Sequence, residues 1–245
     1  MLIDSPRITA ADRECWQQYA EMDRTTDMVP RMTQAARHVL EFADDDTFCA
    51  VSWGKDSVCV AAIVAYTAPS IPLYCVRTKR QNPDCDLVRD AFLAKFPELS
   101  YTEIVEPETP WPHWGYGLRQ IPYSKSIHGV RAAESGERSL SAAVHGVATN
   151  RTCRPILRWT GPEVFAFLEQ AELPVHPSYA MLGGGRWNRD RIRVGTLCGV
   201  RGGGIGRAEW EQEYYGDVVR RLQKAQHDSI SRKRRIESVQ QPSGE

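Results

Sequence analysis

The chain has 245 residues, 42% of them hydrophobic, a length that fits one large α/β domain or two small ones and supplies a sizeable core, which excludes a disordered chain. Thirty-one basic residues balance 31 acidic ones, excluding a protein that coats nucleic acid by bulk charge alone. The balance hides a gradient: residues 1–46 carry five basic and ten acidic side chains, residues 47–180 thirteen of each, and residues 181–245 thirteen basic and eight acidic. No stretch approaches the roughly 18 apolar residues of a membrane span, and MLIDSPRITAADRE lacks the basic start and apolar run of a secretory signal. The expectation is a cytoplasmic protein with no membrane partner. Seven scattered cysteines, an odd number without a CxxC pair, suit reduced thiols and give no reason to expect structural zinc or an iron–sulfur cluster.

In chain order, residues 9–43 read as a helical preface, with Val29, Met32, Ala36, Val39 and Leu40 near a 3.6-residue period, Asp27 as cap and Pro30 in the first turn. TFCAVS (47–52) reads as a buried strand, followed by a glycine turn and a helix from about Ser57 to Tyr66. IPLYCVRT (71–78) is a second strand, residues 82–96 a helix capped by Asn82 with Pro83 at its first position, and YTEIVEP (101–107) a third strand. This alternation implies right-handed crossovers, a parallel sheet covered on both faces, and ligands beyond the carboxyl ends of the strands.

Residues 106–123, rich in proline, glycine and tryptophan, read as a long loop. KSIHGVR (125–131) and RPILRW (154–159) are expected to be the fourth and fifth strands. TGPE (160–163) has the form of a capping box opening a further helix. Glycine triplets at 183–185 and 202–204 bracket an arginine-rich irregular region, and a helix with a polar tail follows Ala208. The expected domains are the preface (1–46), a nucleotide-binding domain (47–205) and a basic helical end (206–245).

SWGKDS (52–57) falls where the first strand turns into a helix. Unpaired N–H groups and the helix dipole favour an anion there, and Lys55 adds a full charge. The ordinary Walker pattern does not fit, because Cys49 precedes Gly54 by five residues and Asp56 occupies the magnesium-binding hydroxyl position.

SWGKDS instead resembles the SGGKDS loop of the PP-loop ATP pyrophosphatase superfamily. GVRAAESGER (129–138), RPILRWTGPEVFAFLEQAELPVHPSYA (154–180) and RVGTLCG (193–199) are similar, in the same order, to segments of its phosphoadenosine phosphosulfate (PAPS) reductase-like branch. The resemblance spans about residues 47–200. It implies a doubly wound, mostly parallel five-stranded α/β sheet of the adenine nucleotide alpha hydrolase-like kind, with a helical preface and a helical basic end. Trp53 replaces the middle glycine of the loop, where close phosphate approach or a positive φ would be expected. Thr196 takes the place of the first cysteine in the 193–199 turn, and no cysteine follows Cys198, so the branch's sulfur-attacking cysteine and paired cluster ligands are missing.

What the resemblance leaves is nucleotide chemistry: ATP, with Mg²⁺, cleaved between its α and β phosphates while an acceptor is adenylated for sulfur or nitrogen transfer. Backbone amides, Lys55, arginines and magnesium suffice for such a reaction through positioning and charge neutralisation. The alternatives are a sulfonucleotide reductase-like enzyme and a non-catalytic nucleotide-binding subunit of a nucleic-acid-associated complex.

The resemblance makes Ser52, Trp53, Gly54, Lys55, Asp56 and Ser57 the nucleotide loop, with Lys55, Asp56 and Arg131 as catalytic candidates and Asp56 orienting the loop or assisting magnesium. Arg77 and Thr78 end the second strand, as adenosine contacts or as solvated turn residues. Gly129, Arg131, Glu134, Ser135 and Arg138 are phosphate or substrate contacts, or a capped helix start with an exposed Glu134–Arg138 pair. Arg186, Arg189, Arg191, Arg193 and Arg201 are a substrate-phosphate clamp or a solvated charge run. Trp111, His113, Trp114 and Tyr116 form a stacking lid or pack the loop. Trp159 and Phe165 suit the core. Cys153 and Cys198 are sulfur carriers or inert buried thiols. RKRR (232–235) is a solvated helix end or a contact for nucleic acid or a partner protein.

Overall fold

The computed structural model describes residues 1–106, 117–198 and 206–240, which fall into two compact units, Met1–Gly195 and Thr196–Glu245. The first is an α/β unit built on a five-stranded, all-parallel sheet flanked by helices.

The preface forms two helices, α1 (Ala10–Asp23) and α2 (Val29–Phe42). Thr9 and Asp12 make a reciprocal capping box on α1. Met28 takes the cap position of α2, while the Asp27 carboxylate still accepts the Val29 N–H at 3.0 Å. Strand β1 (Thr47–Ala50) leads into α3 (Lys55–Thr67), then β2 (Leu73–Arg77), α4 (Asp84–Lys95) and β3 (Tyr101–Val105). Helix α4 begins one residue later than its sequence suggests, with Pro83 at the cap, and Asn82 serves it from outside by accepting the Asp84 N–H at 3.0 Å.

Strand β4 (Lys125–His128) is followed by α5 (Gly136–His145), the two-residue strand β5 (Thr152–Cys153) and α6 (Gly161–Gln170). RPILRW is therefore not a strand, and the fifth strand lies just before it. Pro155 has no N–H for a ladder, and the Leu157 and Trp159 N–H groups bond back to the carbonyls of Arg154 and Ile156, so the segment coils into successive turns. Thr160 and Glu163 form the capping box their spacing implies.

The strand order is β3-β2-β1-β4-β5. Chain connections diverge on either side of β1, and the crevice between β1 and β4 is the topological switch point where open α/β sheets bind ligands. Helix α3 is the hub: ten of its 13 residues are buried, as a helix apolar nearly all round must be. It packs against α2 and α6.

The described residues of the second unit are 196–198 and 206–240, the latter forming helix α7 (Arg207–Gln240), which kinks at Tyr215. Within it, the Glu211 carboxylate accepts from the Cys198 N–H at 2.9 Å and from Arg207 at 2.7 Å. Among the described residues no helix is long and apolar enough to cross a membrane.

Candidate nucleotide site

Two segments leave the sheet at the switch point, 52–57 after β1 and 129–135 after β4, and their side chains meet. Gly54 caps α3 and Lys55 is its first residue. Ser57 ties the loop together: its Oγ accepts the Ser52 N–H (3.1 Å) and donates to the Gly54 carbonyl (3.0 Å). The N–H groups of Asp56 and Ser57 have no acceptor among the described residues. They are two of the orphan donors that every helix start leaves.

Trp53 adopts φ +60°, the left-handed backbone that a glycine would take without cost. For an L-residue this conformation costs about 1–2 kcal/mol. The indole repays it by being 1% exposed, with its ring 5.7 Å from Phe92 and 5.5 Å from Tyr101. Burial of a side chain this size is worth several kcal/mol, so packing wins. Trp53 thus keeps the loop's backbone form while its side chain points into the aromatic core.

The charges are largely buried. Lys55 is 4% exposed and Arg131 is 3% exposed. Lys55 Nζ donates to Asp56 Oδ2 (2.9 Å) and to the Asp190 carbonyl (3.4 Å). Arg131 Nε donates to the other Asp56 oxygen (2.5 Å), and Arg131 Nη1 to the Trp159 carbonyl (3.2 Å). Both Asp56 oxygens are therefore engaged by cations, which is how a carboxylate becomes tolerable in this setting. Gly129 makes the approach possible: a Cβ there would lie 2.5 Å from the Asp56 carbonyl carbon and 2.7 Å from the Ser57 nitrogen.

The other candidates fall in different settings. Arg77 makes a two-pronged pair with Asp86 (2.7 and 2.8 Å) and reaches Glu103 at 3.3 Å. These carboxylates raise its already high pKa further. Glu134 accepts the Arg131 N–H at 2.9 Å and pairs with Arg138, and Ser135 caps α5 through the Arg138 N–H. Arg189 makes a two-pronged pair with Asp23 of α1, 2.8 Å on each arm, and lies over the Tyr19 and Phe165 rings. Arg186 lies over Trp187, and Arg191 and Arg193 are exposed. Arg201 and the tryptophan-rich segment with Trp111, His113, Trp114 and Tyr116 lie outside the described residues, as do the RKRR side chains.

All seven cysteines are free. Burial pushes the Cys153 thiol up to about 12, so it stays protonated and a poor nucleophile. Trp159 and Phe165 are buried, and Trp159 also supplies the carbonyl that holds Arg131. Among the described residues no group of three or more His, Cys, Asp or Glu side chains could hold a metal ion.

Residue-by-residue reading missed Tyr179 and Asp190. The Tyr179 hydroxyl accepts the Lys55 N–H at 3.0 Å, and Asp190 supplies a carbonyl to Lys55. Tyr179 belongs to LPVHPSY, inside one of the segments that carry the family resemblance. Asp190 lies between arginines that drew notice for their charge.

No protein-family model and no curated protein matches the chain. Among solved structures it is similar to Candida glabrata FMN adenylyltransferase in complex with FAD and inorganic pyrophosphate, at 11% identity and TM-score 0.47 over 69% of each chain. It is also similar to the PAPS reductase of Candida auris in its phosphate complex (12% identity, TM-score 0.44, 65% of this chain and 88% of the other). A third is the U34-tRNA thiolase of Methanococcus maripaludis with its 4Fe–4S cluster (14% identity, TM-score 0.45, 80% and 78%). Likenesses at this level bear on neither activity nor substrate.

Proposed function

We propose that the chain is an ATP-cleaving enzyme that forms AMP and pyrophosphate while adenylating an acceptor for sulfur or nitrogen transfer, a PAPS reductase-like PP-loop protein without the reductase's C-terminal cysteine. The observation that carries this reading is the loop at the switch point, where the orphan N–H groups of Asp56 and Ser57 lie at the start of α3 beside Lys55 and Arg131. A helix start with free donors and adjoining cations is an anion site. Ser52 is exposed and Gly54 half-buried, leaving the loop approachable from that side.

The residues fit a nucleotide's phosphates better than a protein-bound metal. Asp56 is held by Lys55 and Arg131 and acts as the loop's internal brace, so magnesium would enter with the ATP phosphates. Lys55 and Arg131 supply positive charge to the reacting phosphates, and the backbone donors orient them. Adenine would lie toward the end of β2, near Thr78, and the acceptor toward Arg191 and Arg193.

Purified protein with ATP, Mg²⁺ and a panel of nucleophilic acceptors should release AMP and pyrophosphate, and Lys55→Ala should abolish the release. Absence of both ATP binding and pyrophosphate release in the unaltered protein, or an unaffected Lys55→Ala variant, would sink this reading.

A further inference from the structure

The phenol of Tyr179 comes from 124 residues away in sequence to accept the N–H of Lys55 at 3.0 Å. A Cβ on Gly54 would lie 3.3 Å from the same oxygen, which places the hydroxyl directly over the loop. The residue is 2% exposed. Its ring packs edge-on against Phe165 at 5.5 Å, with Lys55 Nζ 5.3 Å from its centre. The hydroxyl's position is therefore set by the core and by the loop backbone together.

A tyrosine hydroxyl has one proton to give as well as lone pairs to accept with. Having accepted from Lys55, Tyr179 still has its own O–H, and that proton has no acceptor among the described residues. A buried donor left unspent is costly, and here it adjoins two more, the N–H groups of Asp56 and Ser57. Three neighbouring donors without an acceptor are a site shaped for an anion with several oxygens. Burial first, and the nearby Asp56 carboxylate second, push the phenol well above its usual pKa, so the proton is retained across the neutral range.

We propose that Tyr179 is a phosphate-binding residue of this loop, donating its hydroxyl proton to an oxygen of the nucleotide's phosphate chain while the Lys55 N–H holds the hydroxyl in place. The proposal rests on the reading of residues 52–57 as a phosphate site and adds a contact from outside the loop. It makes the segment that follows α6 part of the binding surface. The ligand class is a polyphosphate, because a single hydroxyl donor set beside helix-start amides rewards oxygens on a compact anion.

Tyr179→Phe keeps the ring and its packing and removes only the hydroxyl. Calorimetric titration of the full chain with ATP and with inorganic pyrophosphate should show affinity for both weakened about ten-fold or more in the variant, the loss of a hydrogen bond to a charged group. The melting temperature of the ligand-free variant should stay within a few degrees of the parent's. Affinity that is unchanged overturns the proposal, and so does tighter binding, which would make the hydroxyl a place-holder that the anion must displace. A crystal of the unaltered protein with pyrophosphate gives a readout independent of the variant's folding. Tyr179 Oη should lie within about 3 Å of a phosphate oxygen, and a separation well beyond hydrogen-bond range refutes the contact. If the unaltered protein binds neither ATP nor pyrophosphate, the phosphate-site reading falls together with this one, whereas normal parent binding with an unaffected variant removes the role of Tyr179 alone.

Discussion

Arg131 and Asp56, 75 residues apart in sequence, form a part-buried ion pair that fastens the turn after β4 to the first turn of α3. Arg131 also holds the Trp159 carbonyl, so one guanidinium joins three segments. Removing the guanidinium leaves Asp56 still paired with Lys55, so the loss is about 1–3 kcal/mol, smaller than that of a fully stranded buried charge. Arg131→Ala should show a loss of that size in denaturant unfolding. Arg131→Lys should recover only part of it, because an ammonium cannot reproduce the planar fork that reaches both acceptors.

At Gly129 the backbones of the same two segments come close together. A methyl group there overlaps the Asp56 and Ser57 backbone, and neither helix start nor strand end can yield cheaply. Gly129→Ala should cost about 1–3 kcal/mol, as overpacking does, and should weaken ATP binding by displacing the two orphan N–H groups. Calorimetric titration beside a melting curve reads both effects. Unaltered binding would mean that these amides take no part.

Trp53 offers an unusual ordering of variants. Trp53→Gly loses indole burial worth about 3–5 kcal/mol but regains the roughly 1–2 kcal/mol of left-handed strain, for a net loss of about 2–3 kcal/mol. Trp53→Ala loses the same burial and keeps a Cβ at φ +60°, so it should be the less stable of the two by about 1 kcal/mol. Chemical unfolding of both variants checks the order, and a more stable alanine variant would contradict the backbone assignment.

The Asp23–Arg189 pair carries the arginine-rich segment to α1, with Asp23 and Arg189 side chains only 5% and 10% exposed. Arg189→Ala should destabilise by about 3–5 kcal/mol through the stranded Asp23 charge. It should also weaken the hold of Asp190 on Lys55. Arg191→Ala, at an exposed position, should leave unfolding within about 0.5 kcal/mol of the parent, so the two arginines are separable by stability alone.

His128, at the end of β4, has its pKa lowered by burial first and by Arg154 second. The unfolded chain therefore takes up the proton before the folded one does. Stability should be full above the ordinary histidine value of about 6.5 and should fall as pH drops from there through the lower folded value. His128→Gln should flatten this part of the profile, measured as the unfolding midpoint between neutral and mildly acidic pH. An identical acid loss in parent and variant would assign it to other groups.

Much of this structure is legible locally. The Thr160–Glu163 capping box, the strand-to-helix junction at residues 52–57 and the placement of β1 to β4 follow from spacing, because a cap or an amphipathic period involves neighbours three or four residues away. RPILRW misleads because its apolar side chains are buried by turns rather than by a ladder, and burial alone does not distinguish the two.

The sequence by itself determined the alternation of strands and helices and the strand-to-helix junction at residues 52–57. Only the tertiary structure decided how the cations are used: Arg77 against Asp86 and Glu103, Arg189 against Asp23, and Arg131 against Asp56. It alone brought Tyr179 to the Lys55 N–H and allowed a tryptophan at a glycine's φ. The physical reason is that a charge or an orphan donor is satisfied by whatever the topology brings within about 3 Å, and these partners lie from nine to more than 160 residues away along the chain.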